Sequence, residues 1–148
     1  MRAMAMASPT SEINSRAIVR GILEAKTDDK IILSLPNTEY RLHLVPSVPP
    51  AAITTPIGKR LKGTIHARSL RMFKAAGGGG GQFIEPLEGA PRIVAGRVAH
   101  VDAASHRVLV EVPAALWMTL AEGQKADMFA VGDMVNCYVE SGTRFEPA

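Results

Sequence analysis

Five consecutive glycines, Gly77 to Gly81, follow Lys74-Ala75-Ala76 and have the composition of a phosphate-cradling loop. That chemistry needs Gly-Lys followed by Ser or Thr at the start of a helix, so that backbone N–H groups and the lysine meet the phosphates. Here Gln82-Phe83-Ile84-Glu85-Pro86 follows, which is strand-like and ends in proline, so the run reads as a flexible connection. The 4 histidines are His43, His66, His100 and His106. His100 and His106 flank a turn, but two imidazoles without a carboxylate make a poor metal site. Asp102 and Ser105-His106 carry turn chemistry, and adjacency does not supply the geometry of a nucleophile and its base. Cys137 lies in the strand-like run Met134-Val135-Asn136-Cys137-Tyr138-Val139 and reads as a buried small hydrophobe. A single cysteine excludes an intramolecular disulfide framework and fits a reducing, cytoplasmic setting. No catalytic, cofactor-binding or metal-ligating set emerges, and the expectation is a protein that is not an enzyme.

The charged residues are more informative. Residues 1–84 carry 12 basic and 5 acidic side chains, a net of +7, whereas residues 85–148 carry 5 basic and 9 acidic, a net of −4. Between Tyr40 and Ile84 there is no Asp or Glu, while Arg41, Lys59, Arg60, Lys62, Arg68, Arg71 and Lys74 accumulate. After Gly58 the alternation places Leu61, Gly63, Ile65 and Ala67 on one side of a strand and Arg60, Lys62, Thr64, His66 and Arg68 on the other. Alternate side chains on a strand stand about 7 Å apart, commensurate with successive phosphates of one nucleic-acid strand. The candidate polyanion or partner surface is therefore Arg60, Lys62, Thr64, His66, Arg68, Arg71 and Lys74. Aromatics make up only 5% of the chain, with Met72 and Phe73 the nearby stacking candidates, so a protein contact is preferred over a base-stacking platform.

The elements that must position these residues are written twice. Ile18-Val19-Arg20-Gly21 returns as Ile93-Val94-Ala95-Gly96, and Lys30-Ile31-Ile32-Leu33-Ser34-Leu35-Pro36 returns as Arg107-Val108-Leu109-Val110-Glu111-Val112-Pro113. An aromatic follows each proline, Tyr40 and then Trp117; Ile57-Gly58 matches Val131-Gly132; Phe83-Ile84-Glu85-Pro86 resembles Arg144-Phe145-Glu146-Pro147. Ordered similarity of this kind points to an internal duplication. The period inside the runs is two, the strand period, and Gly21 and Gly96 fall mid-strand, where glycine marks a bend, a bulge or a close backbone approach. Ile32 and Leu109 lie on the faces opposite the predicted core and form the candidate barrel–barrel or dimer contact. Helix signals are weak, limited to a short turn near Glu122-Gly123-Gln124-Lys125-Ala126.

These observations predict an all-β chain of two tandem small barrels. Residues 1–14 read as a disordered tail, 15–89 as a basic barrel with a glycine-rich insertion at 74–82, and 90–148 as an acidic barrel. Two modules of about 55–70 residues are each marginal, so they should pack together or against another chain. The glycine-bearing first strand, the hairpin strand and Gly132-Asp133-Met134-Val135 resemble oligonucleotide/oligosaccharide-binding (OB-like) barrels. Within that group they are most similar to the tandem small barrels, TOBE-type, of transporter ATPases and molybdate-binding proteins; SH3-like barrels share such patterns. No apolar stretch is long enough to span a bilayer, so no membrane partner is expected. The functional reading is a non-catalytic binding or adaptor module acting through protein contacts of the basic barrel, with self-association. The alternative is sequence-independent binding of single-stranded RNA or DNA, and a third option, which the resemblance implies, is a small oxyanion held between the barrels.

Overall fold

The structure is a computed structural model that describes residues 9–75, 81–112 and 114–148, with residues 9–11 described through their backbone alone. Its elements are one helix, α1 (Pro9–Arg16), and eleven strands: β1 (Val19–Lys26), β2 (Ile31–Ser34), β3 (Arg41–Pro46), β4 (Arg60–Lys74), β5 (Phe83–Glu85), β6 (Glu88–Gly89), β7 (Ile93–Asp102), β8 (Arg107–Val112), β9 (Ala114–Thr119), β10 (Met134–Val139) and β11 (Arg144–Pro147). The all-β expectation holds. Within 114–129 the helical turn falls at Ala126–Met128, as a short 3-10 turn, and Ala114–Thr119 is strand.

The strands form one mixed sheet that closes on itself. A ring of five strands runs β1, β2, β3, β11, β4 and back to β1; all its pairings are antiparallel except β3 with β11. A second circuit runs β4, β10, β7, β8, β9 and back to β4, again with one parallel pairing, β9 with β4. Strand β4 belongs to both. Its 15 residues are about three times an ordinary strand, enough to line one ring and continue into the next. The short strands β5 and β6 lie off this path, on β7 and β3.

Pairing in the two rings follows the same register. Ile22 faces Ser34 and Leu23 faces Leu33 in the first; Arg97 faces Glu111 and Val98 faces Val110 in the second. Each first strand then bulges by one residue, after Leu23 and after Val98. Gly58 N–H donates to the Leu23 carbonyl at 2.7 Å and Gly132 N–H to the Val98 carbonyl at 2.8 Å. Gly21 and Gly96 face the same neighbours: a Cβ on Gly21 would collide with Leu33 and the Ser34 carbonyl, and one on Gly96 with Val110 and the Glu111 carbonyl. Close approach is thus the reason for glycine at both positions.

Two of the expected matches shift. His43, opposite Ile32, holds the position that Trp117 holds opposite Leu109, so Tyr40 is not the counterpart of Trp117. The closing strand is not shared by Phe83–Glu85 and Arg144–Pro147 either. β11 closes the first ring between β3 and β4, whereas Phe83–Glu85 pairs with β7. In the second ring the place that β11 takes in the first is held by β4 from Ile65 onward, whose residues Ile65 to Arg68 lie parallel to β9 as β11 lies parallel to β3.

A single apolar cluster runs through both rings, from Leu33, Leu42 and Phe145 through Ile65 and Ala67 to Val98, Val110 and Leu116. The join between residues 89 and 90 is therefore crossed by β4 and β11 and by the core itself. The predicted disorder up to Asn14 also needs revision: from Pro9 the chain is helical, and residues 1–8 lie outside the described part. Eight residues make a marginal helix alone, so tertiary contacts hold it. Ile13 packs on a second apolar cluster made by Ala17, Ala99, Leu109, Ala115 and Trp117. Arg16 donates from Nε and Nη2 to both carboxylate oxygens of Glu111, at 2.8 and 2.9 Å. Of the predicted glycine-rich insertion, Lys74 ends β4, and residues 76–80 lie outside the described part.

Candidate functional site

The proximal part of β4 alternates as predicted: Leu61, Gly63, Ile65, Ala67 and Ser69 are buried, and Arg60, Lys62 and Arg68 are exposed. A β-bulge then interrupts the pairing with β10, where Tyr138 faces Arg71 but Val139 faces Ser69. The extra residue reverses the alternation, since a one-residue shift moves every later side chain to the other face. Met72 is consequently buried, not a surface stacking residue, while Leu70, Arg71 and Phe73 all face outward. Beside them on β10, Tyr138 is also exposed, with its ring centroid 6.1 Å from that of Phe73. The Arg71 guanidinium lies 5.9 Å from the Phe73 centroid, within reach of a cation–π contact.

The middle of the predicted row is occupied by the chain itself. Strand β11 places Glu146 opposite Thr64 and Arg144 opposite His66. The His66 Nε2 is 2.8 Å from Thr64 Oγ1 and 3.5 Å from a Glu146 carboxylate oxygen. Burial holds the His66 imidazole below its ordinary value, with Glu146 opposing that shift and Arg107 and Arg144 adding to it. Arg68 pairs with Glu140 at 3.2 Å, and Lys74 with Asp133 at 3.7 Å. Both pairs are solvent-exposed, so they lower the net charge of the face and add little stability.

The seven predicted residues thus separate into two ends. At one end Arg60 and Lys62 stand beside Arg20, which β1 places directly opposite Lys62. Among the described residues none of these three has a carboxylate in ion-pairing range. At the other end Arg71 sits among Leu70, Phe73 and Tyr138. Arg20 was legible in the sequence, because Val19 and Gly21 face inward and the residue between them must face out. Tyr138 carried the same signal on its own strand. Leu70 was legible too, as the next member of the row Lys62, Thr64, His66 and Arg68; the outward turn of Arg71 and Phe73 was not, since a bulge leaves no mark in the alternation that precedes it.

Ile32 and Leu109 do not make a common contact. Leu109 is fully buried beneath α1, against Trp117 and Ala115; Ile32 is half-buried on the first ring and belongs to neither apolar cluster. The face around Ile32 is instead polar. Ser34 donates to Glu24 at 2.7 Å, and Arg41 and His43 both approach Glu88 at 3.6 Å.

The remaining sequence candidates occupy structural roles. Ser105 N–H donates to Asp102 Oδ1 at 3.2 Å, which closes a turn. His106 Nε2 lies 3.3 Å from the Ala121 carbonyl and His100 meets the edge of Trp117, so the two imidazoles serve different neighbours. Cys137 is buried and its thiol is pushed up to about 12 by desolvation, which keeps it from acting as a thiolate. Among the described residues no three His, Cys, Asp or Glu side chains gather as a metal site, and no helix is long and apolar enough to cross a membrane. No protein-family model matches this chain, and neither a curated protein nor a solved structure matches it.

Proposed function

We propose that this chain is a non-catalytic binding module, an adaptor that engages a protein partner through the outward side of β4 and β10. The observation that carries the reading is the contiguous exposure of Leu70, Arg71, Phe73 and Tyr138 at the bulge. Exposed aromatic side chains with an arginine among them are the composition of interface anchors, whereas ordinary surface is richer in Lys, Glu and Asp. A bulge gives up a rung of pairing and re-aims the side chains that follow it, and this one turns two consecutive residues, Leu70 and Arg71, to solvent. The contact surface in this reading lies at the distal end of the basic row. The test is affinity capture with the parent chain and with a Leu70→Asp/Tyr138→Ala variant as baits. A partner retained by the parent and lost by a variant of equal melting temperature is the expected result. Identical capture profiles, with light scattering that shows a strict monomer for both, would count against it.

A second reading attaches to the other end. Arg20, Arg60 and Lys62 lack carboxylate partners among the described residues, which leaves three cations for a single-stranded polyanion. Three phosphate contacts give a log–log salt slope of about −2 on a single strand. Fluorescence anisotropy with RNA and DNA oligonucleotides at two salt concentrations checks it; binding that ignores salt removes this reading. As to origin, the matched registers, bulges and glycines of the two rings support a tandem duplication. Five-stranded closure with a bulged, glycine-bearing first strand that pairs with both β2 and β4 supports the OB-like type. The buried lone thiol fits a reducing, cytoplasmic setting.

A further inference from the structure

Strand β4 has neighbours along both of its edges, and one edge runs out of them. On one side lie β11, from Gly63 to His66, and then β10, from Ser69 to Lys74. The other side takes β1 up to Gly63 and β9 from Ile65 to Arg68. Past Arg68 no strand among the described residues pairs with that second side. β9 ends at Thr119, and the next residue, Leu120, turns inward and donates its N–H to the His106 carbonyl. The edge from Leu70 to Lys74 is thus without a neighbouring strand, and it carries two exposed apolar side chains, Leu70 and Phe73.

Free edges invite pairing with another chain, and proteins guard them. Here the guard is one side chain. Met72 directs its backbone to the unpaired side: its N–H donates to Gln124 Oε1 at 2.9 Å, and its C=O accepts from Gln124 Nε2 at 2.6 Å. One amide that satisfies both groups of one residue reproduces the hydrogen-bonded pair of an antiparallel ladder. Gln124 therefore stands where a strand residue would. The turn that carries it is anchored at its ends by buried Leu120 and Ala126, and it exposes Glu122, Gly123 and Lys125 between them.

We propose that this edge pairs with the same edge of a second copy of the chain, antiparallel about Met72, with the Gln124 amide of each copy swinging out as the strands meet. The inference rests on the reading above in taking the distal end of β4 as a contact surface, and it gives that surface its partner. A residue that offers N–H and C=O together is its own complement across a two-fold axis, so Met72 of one copy replaces the Gln124 amide of the other bond for bond. In that register Arg71 of each copy faces Phe73 of the other, a cation against an aromatic face. Within one copy the Arg71 guanidinium already lies 5.9 Å from the Phe73 centroid. Like charges are kept apart: Lys74 faces Leu70 of the second copy and is paired with Asp133 in its own. Each copy uses its edge once, so the assembly closes at two.

Sedimentation velocity of the full chain over a concentration series up to millimolar, with backbone amide spectra of the same samples, tests the proposal. The parent should pass from monomer to dimer, with shifts centred on residues 70–74 and 121–125. Gln124→Ala removes the competitor and should tighten dimerisation by about tenfold for each of the two copies, the worth of the two hydrogen bonds each amide makes. Gln124→Asn keeps the amide on an arm too short to reach Met72, and it carries the test if Gln124→Ala melts below the parent. Phe73→Lys, set opposite Arg71 of the second copy, should abolish the dimer, whereas Phe73→Glu should keep it. A parent that stays monomeric throughout, no tightening by either Gln124 variant, equal effects of Phe73→Lys and Phe73→Glu, or growth beyond a dimer would each overturn the proposal. A monomer that still captures a partner through Leu70 and Tyr138 removes the dimer and leaves the adaptor reading standing. A dimer whose capture profile ignores Leu70→Asp/Tyr138→Ala does the reverse.

Discussion

A methyl group added at Gly96 has nowhere to go, because the Glu111 carbonyl and the Val110 and Val112 side chains already occupy its place. Two of those three obstacles belong to a core that packs like a crystal and the third is backbone, so relief requires strand movement. Gly96→Ala should therefore cost about 1–3 kcal/mol, the range for overpacking, and Gly21→Ala a similar amount; urea unfolding followed by Trp117 emission checks both. A second residue-scale effect belongs to His66. Its folded-state value lies below the ordinary imidazole value, chiefly through burial, so the neutral form is the one the fold prefers. Protons then bind the unfolded chain more readily, and stability falls as pH drops through the ordinary value near 6.5. Below the depressed folded value the loss levels off. His66→Gln should flatten that part of the profile, and the difference between the two melting-temperature curves from pH 8 to pH 5 measures it.

At the scale of elements, α1 and the bulge in β4 decide which surfaces are free. The helix carries Glu12 in its first turn and Arg16 in its last, in accord with the helix dipole, but it presents little apolar surface of its own. What holds it is the face it covers. Trp117, the one tryptophan, lies there with 4% of its surface exposed, stacked on the Arg107 guanidinium at 3.9 Å. Removing residues 1–16 should shift Trp117 emission to longer wavelength and lower the melting temperature, and leave the far-ultraviolet strand signal in place. An unchanged emission spectrum would mean that α1 does not cover Trp117. The corresponding face of the first ring needs no helix, because Glu24, Ser34, Arg41 and His43 make it polar where Ala99, Glu111, Ala115 and Trp117 line the second.

For the molecule as a whole, the exchange of closing strands has a consequence that two separate barrels would not share. The first ring takes β11 from the far end of the chain, and the second takes the distal half of β4 from the first half. A five-stranded ring deprived of one strand exposes two edges and one side of its core. Residues 9–75 and 83–148, expressed as separate polypeptides, should each fail to give a cooperative unfolding transition. Mixed in equal amounts, they should regain the parent's Trp117 emission and a single transition. Independent folding of either piece would show that the shared strand is dispensable. The same arrangement accounts for the single continuous core: two small barrels are marginal apart, and here neither is complete apart.

Alternation of apolar and polar residues was enough to establish a β-rich chain, the inward and outward sides of β1, β2, β10 and of β4 as far as its bulge, and the paired glycines at 21 and 96. Those features are local, because side chains one residue apart on a strand must face opposite ways whatever lies beyond. Charge placement along β4 was equally legible, since an uninterrupted stretch without Asp or Glu is a property of the string. Which carboxylates come back to that strand was not. Glu140 reaches Arg68 because β10 pairs with the end of β4, Glu146 reaches His66 because β11 crosses to the first ring, and no local pattern records which of two equivalent edges a strand will close. The bulge at Leu70 and the cover over Leu109 have the same origin: each is a relation between segments distant along the chain, fixed when a shared core selects one pairing of edges over another.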